Sequence, residues 1–306
     1  MNVLVTGASG FVGKNLVPFL GTSGNNVLPV TRNGKQGIAD FVHDGALDAN
    51  GVGAMVHLAG KAHDLKKVSD DDAYYAVNTV LTQQLFDAFL QSQASVFIFI
   101  SSVKAVADHA DVPLREDVDC RPATVYGDSK RQAELYLLQQ ELPAGKRVYI
   151  LRPCMIHGPG NKGNLNLLYR FVKQGIPYPL AAFRNQRSFL SVQNLCFVIQ
   201  ELLSRPGIAS GVYHLADTEP ISTNELIGLM ADVLQKPARL WRIPRVLISG
   251  LARVGDVLHL PLNTERLQKL TENYIVDNSK IRAAIGQELP VTTRVGLRST
   301  IASFQV

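Results

Sequence analysis

The first thirteen residues restrict this chain more than any other stretch. An apolar run of β character, Asn2–Thr6, leads into Gly7-Ala8-Ser9-Gly10-Phe11-Val12-Gly13. Phe11–Leu20 then has helical spacing, with Val12, Leu16, Phe19 and Leu20 on one face. A strand that turns at once into a helix needs backbone freedom at Gly7. Gly10 keeps a side chain out of the path of an approaching anion, and Gly13 lets helix pack on strand. The helix N-terminus would offer free N–H groups to a phosphate. Three glycines alone are a weak signal, but a strand before them and a helix after them is the context a dinucleotide requires. Pro18, inside that helix, predicts a kink or an early end.

The alternation continues. Val27–Thr31, Ala54–Leu58, Ser95–Ser101 and Arg147–Arg152 read as strands, and Asp71–Ser92 and Tyr126–Glu141 as helices. Strands separated by helices of this length indicate βαβ units and a parallel sheet. The second half changes texture. Leu165–Gln174, Val192–Leu203 and Thr223–Leu234 look helical, the last after a candidate N-cap, Ser222, with short extended pieces near Phe189–Ser191 and Val212–Leu215. The expected fold class is therefore α/β. Residues 1–160 form a Rossmann doubly wound parallel sheet, with further contributions from about 188–216, and residues 161–306 form mainly a smaller, C-terminal substrate-binding lobe. With 306 residues, 46% of them hydrophobic, the chain buries a core without staples.

Several function classes drop out. The net charge is +5 and no run of five basic residues exists, which suits an anionic small ligand and gives no tail for nucleic acid. Cys120, Cys154 and Cys196 are too few and too scattered for a disulfide framework or a Cys-rich zinc site, so a reducing, cytoplasmic compartment is expected. The seven histidines show no ligand spacing, so no metal is expected. MNVLVTGASGFVG lacks the basic and apolar regions of a signal peptide. No integral membrane span is expected. Trp241–Leu262 is the most apolar late segment, but Arg242, Arg245, Arg253 and Asp256 interrupt it, which predicts a packed helix rather than one lying on a membrane.

The end of the second strand bears on the choice of dinucleotide. An acidic side chain there would bond the adenosine ribose and repel a 2′-phosphate. This chain has Val30-Thr31-Arg32-Asn33, with no carboxylate and with an arginine suited to that phosphate. NADP(H) is favoured and NAD(H) is the alternative. Tyr126-Gly127-Asp128-Ser129-Lys130 places a phenol and an ammonium at i and i+4, on one helix face. A phenol with a pKa near 10 is a poor acid–base group at neutral pH, and a neighbouring ammonium favours its ionised form.

The Gly-x-x-Gly-x-x-Gly spacing together with Tyr126 and Lys130 resembles the short-chain dehydrogenase/reductases, in their extended branch, the NAD(P)-dependent epimerase/dehydratase family. Further segments carry the likeness: Asp44-Gly45, His57-Leu58-Ala59-Gly60, Asn78, Ser101-Ser102, Leu151-Arg152-Pro153 with Gly158-Pro159-Gly160, and Asn185-Gln186-Arg187-Ser188. The resemblance implies a triad of Ser102, Tyr126 and Lys130, performing hydride transfer at a carbinol carbon. It implies cofactor contacts from Gly7, Gly10, Phe11, Val12, Gly13, Arg32, Asp44, Gly45, Leu58, Ala59, Gly60, Asn78, Ser101, Tyr126, Lys130 and Pro153. It implies UDP-sugar contacts from Ser102, Lys104, Tyr126, Asn164, Pro179, Leu180 and Arg187, the last on the diphosphate, where a planar fork suits two phosphates. Homodimers are a family expectation.

Within the family, the run Ser101–Lys104 with Gly163-Asn164 and Asn185–Ser188 is similar to a surface-polysaccharide subgroup. That subgroup holds UDP-glucose 4-epimerases and reductases of UDP-4-keto-6-deoxy-N-acetylhexosamines. His157 stands where the family has Tyr, and packing is its expected role. Val103 and Lys104 follow Ser102 where dehydratases place an acid, so 4,6-dehydration is disfavoured. Three readings follow: an NADPH-dependent reductase of a UDP-4-keto sugar, a 4-epimerase with tightly held NAD, and a non-catalytic dinucleotide-binding protein. The presence of both Tyr126 and Lys130 counts against the third.

Overall fold

The computed structural model describes residues 1–31, 37–43, 45–62, 71–161, 163–258 and 263–305. Six strands form a parallel sheet: β1 (Asn2–Thr6), β2 (Asn26–Val30), β3 (Ala54–His57), β4 (Val96–Ile100), β6 (Arg147–Pro153) and β9 (Gly211–Leu215), in the order β2-β1-β3-β4-β6-β9. The order reverses between β1 and β3, and ligands bind in the crevice at the carboxyl ends of strands where that happens. Both faces are covered. In β4, Val96, Ile98 and Ile100 pack to one side while Phe97 and Phe99 pack to the other, as the two-residue period demands. Helices α1 (Phe11–Thr22) and α7 (Val192–Ser204) cover the first face. Helices α4 (Leu81–Gln91) and α5 (Val125–Gln139) cover the second, where Leu85, Phe86, Phe89, Ala133 and Leu137 are buried.

Helix α1 runs through Pro18 to Thr22 rather than ending early. Pro18 and Lys14, whose carbonyl loses its donor, both face solvent, where that loss costs least. The short helix α2 (Ala46–Ala49) follows. The expected helix over 71–92 is instead three pieces: α3 (Asp72–Tyr75), a π-helical turn over Ala76–Val80, and α4.

A second core holds Tyr169, Tyr178, Leu180, Phe189, Ile227, Met230 and Leu297, among others. It gathers around α6 (Asn164–Lys173), α8 (Thr223–Val233), α9 (Arg245–Leu258), α10 (Thr264–Thr271) and α12 (Thr293–Ala302). Ser222 caps α8 as expected, in a capping box with Glu225. Two small parallel pairs escaped the sequence reading. One joins β5 (Ala110–Leu114) to β10 (Tyr274–Val276), the other β7 (Met155–His157) to β8 (Phe189–Ser191). Helix α11 (Ser279–Ile285) closes against β9. Among the described residues no helix is long and apolar enough to cross a membrane, and no His/Cys/Asp/Glu group has the geometry of a metal site. The three cysteines are free thiols.

Candidate active site

The glycine loop opens at the end of β1, at the sheet's switch point. Gly7 has φ +69°, and a Cβ on it would lie 2.7 Å from the Ala59 nitrogen. A Cβ on Gly13 would lie 2.5 Å from the Gly7 oxygen and the Ala8 Cα. These two glycines are fixed by the protein's own packing. Gly10 is not: a Cβ there would meet a single protein atom, the Gly7 oxygen, at 3.2 Å. What needs Gly10 to be bare therefore approaches from outside. It would meet the N-terminus of α1, whose first turn carries no acidic side chain. The residues present thus fit a dinucleotide pyrophosphate. Phe11 and Val12 are half-buried, and Phe11 borders Gly158, whose Cβ would lie 3.4 Å from the Phe11 ring. Leu58, Ala59 and Gly60 leave β3 beside this loop. Pro153 is buried at the end of β6, paired with Leu215 of β9. Arg32 and Asp44 lie outside the described residues; Gly45 caps α2.

Beneath the loop the polar groups are neutral and fully paired. His57 Nδ1 lies 2.7 Å from Thr6 Oγ1 and Nε2 lies 3.0 Å from Thr82 Oγ1. Thr82 donates its own proton to the Asn78 carbonyl at 2.7 Å, so His57 must be the donor at Nε2. Burial, reinforced by the Lys130 charge, lowers the His57 pKa to about 3. Asn78 sits in the π-helical turn and is fully buried. Its side chain accepts from the Lys61 nitrogen at 2.8 Å and donates to the Lys61 carbonyl at 3.0 Å and the Ser129 hydroxyl at 2.9 Å. Asn78 therefore braces the segment after Gly60 against α5, with its Oδ1 3.1 Å from where a Gly60 Cβ would stand.

Ser102, Tyr126 and Lys130 converge at the end of β4. Ser102 caps a short 3-10 turn, accepting the Lys104 N–H at 3.1 Å. Its own proton is then free to bond the Tyr126 oxygen, and this hydrogen bond favours the phenolate. Gly127 makes the approach possible: a Cβ on it would lie 2.3 Å from the Lys104 carbonyl. Thr124 caps α5 and so sets where Tyr126 enters. Lys130 is buried, donates to the Ile100 carbonyl at 2.9 Å and lies over the Phe99 ring. Its Nζ is 3.0 Å from where a Gly60 Cβ would stand, which puts the ammonium at the crevice wall.

Electrostatics depart from the sequence expectation. The Tyr126 pKa is raised, because burial penalises the phenolate; the Ser102 hydrogen bond opposes the shift and the nearby Tyr74 adds to it. Burial also lowers the Lys130 pKa to about 8, with Glu134 holding it up. The Lys130 charge acts on His57.

Ser101 precedes Ser102 just past the end of β4. It is buried, and its hydroxyl bonds Glu134 at 2.5 Å. Glu134 also takes a bidentate pair from Arg152, at 2.9 and 2.6 Å, deep under α5. This pairing joins residues eighteen apart on a helix and a strand and has no local signature along the chain.

On the far side, Arg187 lies between two bridges, to Ile221 and to Tyr274. Its Nη2 donates to the Lys269 carbonyl at 2.6 Å and approaches Glu272 at 3.5 Å, while its Nε is buried with no hydrogen-bond partner. Burial lowers its pKa; Glu272 and Tyr178 oppose that shift. Glu272 is shared with His109, whose Nδ1 is 2.5 Å away. Lys104 bonds the Asp108 backbone and side chain and lies over Tyr274, next along this wall. Pro179 is half-buried and Leu180 is packed in the second core. Asn164 opens α6. His157 is buried against Thr300, Asp217 and Phe189, as a packing residue.

Known proteins fit this geometry. The sequence model of the NAD dependent epimerase/dehydratase family matches residues 3–216. A UDP-glucose 4-epimerase of Vibrio cholerae is 30% identical, over 99% of this chain and 95% of its own length. A GDP-6-deoxy-D-mannose reductase of Pseudomonas aeruginosa is 30% identical, over 83% of this chain and 90% of its own length. In fold, the chain is similar to the solved RMD from Pseudomonas aeruginosa complexed with NADPH, with a TM-score of 0.73 at 23% identity, covering 99% of both chains. The chain belongs to the NAD-dependent epimerase/dehydratase family, among the extended short-chain dehydrogenase/reductases.

Proposed function

We propose that this enzyme uses NADPH to reduce the keto group at carbon 4 of a UDP-4-keto-6-deoxy-N-acetylhexosamine, for surface polysaccharide. The observation that carries the chemistry is the Ser102–Tyr126 hydrogen bond at the crevice, with Lys130 buried below it. Ser102 orients the substrate oxygen, its direction set by the Lys104 N–H it accepts. Tyr126 gives that oxygen its proton as the keto carbon is reduced. Lys130 holds the nicotinamide ribose and, once drawn from the Ile100 carbonyl toward it, favours the phenolate. The dinucleotide, when bound, supplies the hydride. Gly7, Gly10 and Gly13 hold its pyrophosphate, and the absence of a carboxylate in Val30–Asn33 supports the phosphorylated form. Arg187, with an unused Nε, binds the UDP diphosphate.

A second reading is a 4-epimerase that retains NAD. The full-length similarity to the Vibrio cholerae UDP-glucose 4-epimerase favours it. The same three residues serve, because epimerisation is oxidation followed by reduction on the other face. The test is a panel of UDP-sugars, including 4-keto-6-deoxy substrates, with NADPH or NADH, read by nicotinamide absorbance. The reductase consumes NADPH one-for-one with the 4-keto sugar. Purified protein that inverts a 4-hydroxyl with no added cofactor would overturn that reading.

A further inference from the structure

The site leaves one conspicuous segment unused. Helix α9 (Arg245–Leu258) packs Ile248, Ala252 and Gly255 inward. That stripe would suffice for a helix covering a core. Yet Val246, Leu247, Leu251, Val254 and Leu258 are 82%, 59%, 58%, 49% and 61% exposed. At 3.6 residues per turn, these five and Gly250 fall within one arc of about 140°, with no polar residue among the described side chains there. Arg245, Ser249, Arg253 and Asp256 fill the remaining stripe. Single exposed apolar residues are ordinary, but a contiguous apolar face on a helix marks an interaction surface. Trp241, 58% exposed, stands just ahead of it.

We propose that α9 lies on an anionic lipid surface, its apolar arc in the headgroup region. Charge favours lipid over a second copy of the chain. Residues 236–258 carry Lys236, Arg239, Arg242, Arg245 and Arg253 against one acid, Asp256. Asp256 is engaged by Thr264 at the start of α10. Lys236, Arg239 and Arg245 are fixed to the carbonyls of Lys173, Gly175 and Ala182, which anchors their stems without neutralising them. Two such faces meeting would bring like charges together, whereas an apolar arc bordered by Arg253, with four further cations in the segment leading to it, matches anionic headgroups. A Trp beside the arc suits the same interface. The inference is independent of which sugar is reduced.

The test is flotation of the full chain with vesicles of phosphatidylglycerol and phosphatidylcholine, against phosphatidylcholine alone. Trp241, the single tryptophan, is a built-in reporter. The chain should float with the anionic vesicles, its emission should shift to the blue, and added salt should weaken both. Leu251→Glu should cut vesicle binding about tenfold or more, while Val295→Glu, on the exposed face of α12, should not. Both variants should keep the wild-type melting temperature, since neither side chain is buried. No binding to anionic vesicles at low salt overturns the proposal. So does a dimer, seen by sedimentation velocity, that Leu251→Glu dissociates without any vesicle binding.

Discussion

The two walls of the crevice are built on opposite plans. On the cofactor wall, Thr6, His57, Thr82, Asn78 and Ser129 form a closed chain of hydrogen bonds, every member buried and partnered. On the opposite wall, Arg187 holds a long contact to Glu272, leaves Nε unsatisfied, and shares its carboxylate with His109. A completed buried network resists rearrangement, and an incomplete one invites a ligand to finish it. The cofactor wall is thus preorganised, while Arg187, which we propose binds the substrate diphosphate, is held by an internal carboxylate.

The comparison can be broken in four places. The largest effect is expected at Tyr126, where the walls meet. Tyr126→Phe should cut turnover by about a hundred- to ten-thousand-fold with little change in cofactor affinity, measured by steady-state kinetics and dinucleotide titration. Unaltered turnover would move the proton transfer to another group. Next is acid sensitivity. The unfolded chain protonates His57 near 6.5, whereas the folded one resists to about 3. Between those values the unfolded state binds the extra proton, so stability falls as pH drops. By pH 5 this amounts to about 2 kcal/mol, on a group that is fully buried. Urea titrations should show the fall, and His57→Gln should flatten it.

The glycines give a paired test of smaller size. Gly13→Ala forces backbone apart and should cost about 1–3 kcal/mol of stability. Gly10→Ala should leave the melting temperature nearly unchanged and weaken the dinucleotide instead. Equal loss of stability in both would mean that Gly10 too is structural. The smallest effect is at Glu272. Glu272→Gln removes the charge competing for Arg187 and should tighten UDP several-fold, roughly 1 kcal/mol. Isothermal titration would decide, and weaker binding would show that Glu272 positions Arg187 instead of competing for it.

The cofactor wall was the more legible in sequence because its parts are local. Strand, glycines and helix follow one another within twenty residues, and Tyr126 and Lys130 sit one turn apart. The pairs β5 with β10 and β7 with β8 could not be read. Their strands are three to five residues long, too short for a period, and their partners lie far along the chain. The bonds of the Ser101 hydroxyl could not be read for a related reason. They depend on Glu134 and Arg152, two charges far apart in the chain that folding buries together. The raised Tyr126 pKa could not be read from helix spacing, which gives the one-turn separation from Lys130 and says nothing of how deeply folding buries the phenol.

The π-helical turn over Ala76–Val80 has a consequence for sequence length. It holds one residue more than an α-helical turn would, and so keeps the helices on either side in phase. With the extra residue, α3 points Tyr75 at Asp128 of α5 while α4 still points Leu85, Phe86 and Phe89 at the sheet. A π turn takes up its extra residue within one wider turn, so deleting one residue from 76–80 would mend the helix and leave α3 and α4 in phase. The loss would fall on the turn itself, where Asn78 and Thr79 make their bonds to Lys61 and Ser129.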